Sequence, residues 1–188
     1  RQRQMCIRDS LKGISDGGNG INFCGTLNAN EANGSTFTIT ATANGSTAMN
    51  VIGGKINLTN TNGTTSGSLV INATSTSSTG FFTNQSSALT ASGGNLTING
   101  SNGTNNGINL DGSNGTVVVT ATNNATITLN GNSTNSTGLN LSGVTLTATN
   151  STVNLYGNST ADLGVNISSN NTFTLTGATL NISGTSSS

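Results

Sequence analysis

LTINGSNGTNNGINL, residues 96–110, returns as ITLNGNSTNSTGLNL at 127–141 and as VNLYGNSTADLGVNI at 153–167. Each copy runs apolar-polar-apolar-polar to a glycine (Gly100, Gly131, Gly157). Seven residues later a second glycine (Gly107, Gly138, Gly164) opens another apolar-polar-apolar step. Strict alternation sends successive side chains to opposite faces, so each step places two aliphatics on one side of a strand. A third alternating segment follows each copy, at Val117 and Val119, at Val144 and Leu146, and at Phe173 and Leu175.

The frame extends in both directions with small residues in place of glycine. Leu69-Val70-Ile71-Asn72-Ala73 leads to Gly80-Phe81, and Phe37-Thr38-Ile39-Thr40-Ala41 leads to Ala48-Met49-Asn50-Val51. Gly13 leads to Gly20-Ile21-Asn22-Phe23, Leu180-Asn181-Ile182-Ser183-Gly184 begins a further copy, and Ile56-Leu58-Asn60 fits a third-strand slot. The anchors Gly13, Ala41, Ala73, Gly100, Gly131, Gly157 and Gly184 are 28, 32, 27, 31, 26 and 27 residues apart. A period in this range signals a solenoid. Tandem immunoglobulin-like domains need about 100 residues per repeat and are excluded.

Three short strands in each turn of about 28 residues, stacked at ~4.8 Å, give an all-β, parallel β-helix solenoid of about six turns. The usual hand of parallel connections makes it right-handed. Ile, Leu, Val and Phe face inward, and Asn and Thr face outward. Glycine or alanine at the first bend is expected either from a positive φ or from lack of room for a side chain. Length variation falls at the other two bends. The chain contains no proline, as a ladder needing every backbone N–H requires.

The opening RQRQMCIRDS is unlike the rest. It holds Arg1, Arg3 and Arg8, one of the two cysteines (Cys6) and one of the two methionines (Met5). It resembles a translated sequencing adapter, and no apolar signal-peptide core follows it. The expectation is that residues 1–10 are not native and that 11–188 is a β-helix repeat region truncated at both ends. The first apolar slot of the opening turn would fall at Asp9, so the repeat is severed mid-strand. Without that stretch Lys12 and Lys55 face Asp16, Glu31, Asp111 and Asp162, and the net charge moves from zero to −2. No basic patch for nucleic acid remains, Cys24 has no partner for a disulfide, and no run is long enough for a membrane helix.

Chemistry is sparse. The chain has no histidine, the commonest general base and metal ligand. The carboxylates fall at different phases of the repeat, whereas a glycosidase needs a converging pair. No catalytic, cofactor-binding or metal-ligating residue is therefore assigned, no cofactor is expected, and the chain is read as a non-enzyme. GGNGINFC (Gly17 to Cys24) resembles a calcium-binding nonapeptide with Asn22 at the aspartate position, but it occurs once and is read as a glycine-rich corner. The threonine-rich TFTIT (36–40), TLTAT (145–149) and TFTLT (172–176) suggest an ice-binding array, broken at Lys55, Asn57 and Ser87; β-branched threonine also simply suits outward strand positions. N-x-S/T triplets such as those at Asn132, Asn135, Asn158 and Asn181 match a glycosylation acceptor pattern; they are read as the result of Asn and Thr sharing an outward face, with surface hexosylation as the alternative.

Residues 131–167, GNSTNSTGLNLSGVTLTATNSTVNLYGNSTADLGVNI, resemble the passenger repeats of bacterial autotransporter and filamentous-haemagglutinin-type adhesins. The resemblance covers about 30–188 and rests on repeat style. It implies a right-handed β-helix stalk, exported through a translocator barrel and displayed outside a Gram-negative cell. There it would meet a glycan, protein or matrix of a host or neighbouring cell. The resemblance carries over no functional residue. An ice-binding solenoid is the alternative, and a polysaccharide-active β-helix enzyme fragment a more distant one.

Overall fold

The computed structural model describes residues 10–31, 34–60, 66–168 and 170–187, and among these every regular element is a β-strand. Turn one holds β1 (Ser10–Ser15), β2 (Ile21–Phe23) and β3 (Thr26–Asn30); turn two holds β4 (Thr36–Ala43), β5 (Met49–Ile52) and β6 (Lys55–Thr59). Turn three is β7 (Ser68–Ser75), β8 (Phe81–Asn84) and β9 (Ala88–Ser92), and turn four is β10 (Asn95–Asn102), β11 (Ile108–Asp111) and β12 (Val117–Thr122). Turn five is β13 (Thr126–Ser133), β14 (Leu139–Ser142) and β15 (Val144–Thr149), and turn six is β16 (Thr152–Ser159), β17 (Val165–Ile167) and β18 (Thr172–Thr176). A seventh turn begins with β19 (Thr179–Ser186). Of the opening stretch, Ser10 starts β1 and pairs with Thr38; residues 1–9 lie outside the described residues.

Strands three apart in sequence pair in parallel. They build a seven-stranded first sheet from β1 to β19, and two six-stranded sheets from the second and third strands of each turn. This is the parallel β-helix that the repeat predicts. The seven anchors stand side by side in one column of the first sheet: Gly13, Ala41, Ala73, Gly100, Gly131, Gly157 and Gly184. Beside them Ile39, Ile71, Ile98, Leu129 and Leu155 form a buried column, and Met49, Phe81, Ile108 and Leu139 form its counterpart in the second sheet. No single turn encloses this core, because each aliphatic is covered by its copies above and below.

The third sheet corrects one sequence expectation. Phe173 pairs with Leu146 and Leu175 with Ala148, so the Phe173–Leu175 pair sits two residues later in the slot than Val144–Leu146. The inward slots shared by this sheet are those of Ile56, Leu89, Val119 and Leu146, followed by those of Leu58, Ala91, Ala121 and Ala148. Alanine is too weakly apolar to mark an inward position in a threonine-rich text. Asn60 lies just beyond β6, and its amide donates to the Gly93 carbonyl at 3.1 Å.

The three bends differ. Five residues separate first from second strands in all six turns, whereas the other two bends take from one to eight. At the constant bend the anchor glycines serve close approach and have no positive φ. A Cβ on Gly131 or Gly157 would fall on the carbonyl oxygen of Gly138 or Gly164. Positive φ occurs instead at the variable bends, for example at Gly53, Asn123, Asn124, Asn150 and Gly177. The constant bend is also stitched from inside: the Ser75, Ser133 and Ser159 hydroxyls each donate at 2.6 Å to a carbonyl of the preceding turn (Ser46, Asn105 and Ser136). The same hydroxyls accept from the N–H of Ser78, Ser136 and Asp162, three residues on. In turn two the position is Ala43, whose methyl is fully buried.

Candidate functional site

With the interior filled by the chain's own aliphatics, whatever this molecule binds meets the outward rows. On the first sheet one row reads Thr40, Asn72, Asn99, Asn130, Tyr156 and Ser183. The Asn99 amide donates to Asn72 Oδ1 at 2.9 Å, and the Asn130 amide donates to Asn99 Oδ1 at 2.8 Å. Stacked asparagines thus consume one another's hydrogen bonds, as amide ladders in parallel sheets do. Tyr156 stops the ladder. It stands 38% exposed on the outward face and cannot offer an amide to Asn130.

On the second sheet the row is Asn22, Asn50, Phe82, Asn109, Asn140 and Asn166. The amides of Asn50, Asn140 and Asn166 donate to Asn22, Asn109 and Asn140 at 3.2, 2.7 and 2.8 Å. Phe82 interrupts this ladder too, and Asn50 Oδ1 is left buried without a partner. Asn22, at the aspartate position of the calcium-like nonapeptide, is therefore a ladder residue. Among the described residues no group of three or more His, Cys, Asp and Glu is placed to hold a metal.

The third sheet carries threonine. Thr90, Thr120, Thr147 and Thr174 are in register over four turns, with Ser92, Thr122, Thr149 and Thr176 two residues on. Lys55 and Asn57 end the array in turn two, as the sequence indicates. Ser87 does not take part: it is fully buried, its hydroxyl donating to the Val51 and Asn84 carbonyls, and Ala88 holds the outward slot. Thr36–Thr40 belongs to the first sheet, so the three threonine-rich segments are not one surface.

The carboxylates are dispersed. Asp16 Oδ1 accepts from the Asn44 amide at 2.8 Å, Glu31 from the Ser35 hydroxyl at 2.5 Å, Asp111 from the Ser113 N–H at 2.9 Å, and Asp162 from the Thr137 hydroxyl at 3.0 Å. Asp16 and Asp162 share a bend but stand in turns one and six, about 24 Å apart at the strand spacing. Cys24 is a free, exposed thiol.

Shallow grooves run between the outward rows of the described residues. One lies over the Asn123–Asn124, Asn150 and Gly177 bends. One follows the Thr74, Ser101, Asn132 and Asn158 row, and one surrounds Tyr156. The sequence offers one signal for the last: Tyr156 is the only tyrosine, in a slot where two of the neighbouring copies have asparagine. Among the described residues no helix is long and apolar enough to cross a membrane. Comparison of the chain with known protein families, with curated proteins and with solved structures finds no match.

Proposed function

We propose that the chain is a non-catalytic, structural and adhesive stalk segment of a bacterial adhesin, secreted or displayed at the cell surface. This follows its likeness in repeat style to autotransporter and filamentous-haemagglutinin-type passengers. The observation that supports the reading best is the first sheet, seven strands in unbroken register whose outward face is mostly Asn, Thr and Ser, with Lys12, Val70 and Tyr156 as the exceptions in its central rows. A coil that fills its own interior carries load and position along its axis and leaves its outer rows for contact. The dispersal of the carboxylates favours a non-catalytic role. In this reading a translocator barrel handles the segment during export, and the partner is a surface glycan, protein or matrix. Antibody raised against the chain should label intact source cells, and external proteinase K should remove the label. Labelling only after lysis would overturn the reading.

A second reading has its own observation, the threonine array of the third sheet. Its hydroxyls repeat at about 4.8 Å between turns and about 6.6 Å along the strand; the threonine side chains make no hydrogen bonds within the described residues, and the Ser92 hydroxyl accepts from the Asn123 amide at 2.8 Å. Such a face suits ordered water. The test is ice-crystal faceting and thermal hysteresis at millimolar protein; round crystals and no hysteresis would dismiss it.

A further inference from the structure

The Tyr156 groove gathers several unused polar atoms on an open face, whereas the break at Phe82 leaves its unpartnered Asn50 Oδ1 buried. Elsewhere on this row each asparagine engages the next. Here Asn130 Oδ1 lacks the amide that would close the ladder, and the Asn132 side chain, the Tyr156 hydroxyl and the Ser183 hydroxyl make no hydrogen bond within the described residues. Asn158 accepts from the Thr185 hydroxyl at 2.7 Å, and its own amide N–H is free. These groups and the partly exposed Tyr156 side chain line one groove, and none of the lining residues is charged.

We infer that this groove is a binding subsite for one hexose unit of an uncharged glycan. A pyranose has an apolar C–H face that packs on an aromatic ring, and a rim of hydroxyls that both donate and accept. The groove answers each part. The Tyr156 ring supplies the platform, Asn130 Oδ1 supplies an acceptor, the Asn158 amide a donor, and the Asn132 amide supplies both. The absence of charge in the lining disfavours phosphorylated or sulfated ligands, which need a cation to offset their desolvation. The subsite deepens the adhesive part of the proposed function and rests on it for its biological setting, whereas the binding itself does not depend on where the chain is displayed.

The test uses a built-in reporter. Tyr156 is the only tyrosine and the chain has no tryptophan, so tyrosine fluorescence reads this groove alone. Titrating the 188-residue chain with cellotetraose, mannotetraose and chitotetraose should give a saturable change with at least one of them, at a Kd on the order of millimolar or below. The variants are followed by saturation-transfer-difference NMR. Tyr156→Asn restores the residue of the neighbouring copies and keeps the fold; it should weaken binding about tenfold or more, as loss of a central aromatic does. Tyr156→Phe keeps the ring and should stay within about threefold of the parent. No saturable change with any of the three sugars, or unchanged affinity in Tyr156→Asn, overturns the subsite. Neither outcome touches the surface-labelling test of the stalk.

Discussion

Thr83 is the residue at which the repeat breaks its own rule. It occupies an inward slot of the second sheet between Val51 and Leu110, is fully buried, and its hydroxyl has no partner. A buried unpaired hydroxyl costs about 1–3 kcal/mol, and valine has nearly the same shape. Thr83→Val should therefore raise Tm by about 2–12 °C in thermal denaturation; an unchanged or lower Tm would mean that the hydroxyl is satisfied. Ser133 is the opposite case, donating to the Asn105 carbonyl and accepting from the Ser136 N–H. Ser133→Ala orphans both, and a loss of about 1–3 kcal/mol is expected in urea denaturation. The fold should survive, since Ala43 fills the equivalent position in turn two. Thr83 also shows where reading the sequence stops. Turn three yields only Gly80-Phe81 as its second strand because its other inward residue is polar. Polarity alone does not reveal that a neighbouring register has buried it.

At the scale of strands, the period and the anchors were legible because glycine and aliphatic spacing recurs with little change after residue 95. All seven anchors pair as their spacing requires. The third strands were less legible, since alanine holds inward slots there, and the reason for glycine at the first bend lies in the close approach of a carbonyl seven residues on. The outward ladders were visible only as Asn and Thr abundance; their hydrogen bonding depends on register. Asn140 sits inside one of them, donating to Asn109 and accepting from Asn166. Asn140→Ala removes two side-chain bonds, so a loss of about 1–2 kcal/mol is expected. Calorimetry would show it as a Tm lower by about 2–8 °C; no change would mean that the ladder is a consequence of the strand pairing and adds nothing to it. The candidate groove was the least legible feature, because a lone tyrosine in a repeat reads as simple variation until the ladder it interrupts is seen.

Over the whole molecule, protection is graded along the axis. Inward aliphatics of turns two to five are covered by turns on both sides, whereas Ile167, Leu175 and Ile182 near one end are 40–46% exposed and Leu11 at the other is 46% exposed. In a stack where each turn contacts only its neighbours, opening begins at the ends. Amide hydrogen exchange should be slowest in β10 and β13 and fastest in β1, β18 and β19; uniform exchange would mean that the stack opens all at once. The five-residue bend, kept in every turn while the other two vary, has a further consequence for how such a chain changes over time. Phase is counted at one bend only. A duplicated or lost segment at either of the others alters what projects from the side of the rod without exchanging inward for outward residues downstream. Two edges of the molecule are thus open to revision, and the third is the spine that keeps the copies in step.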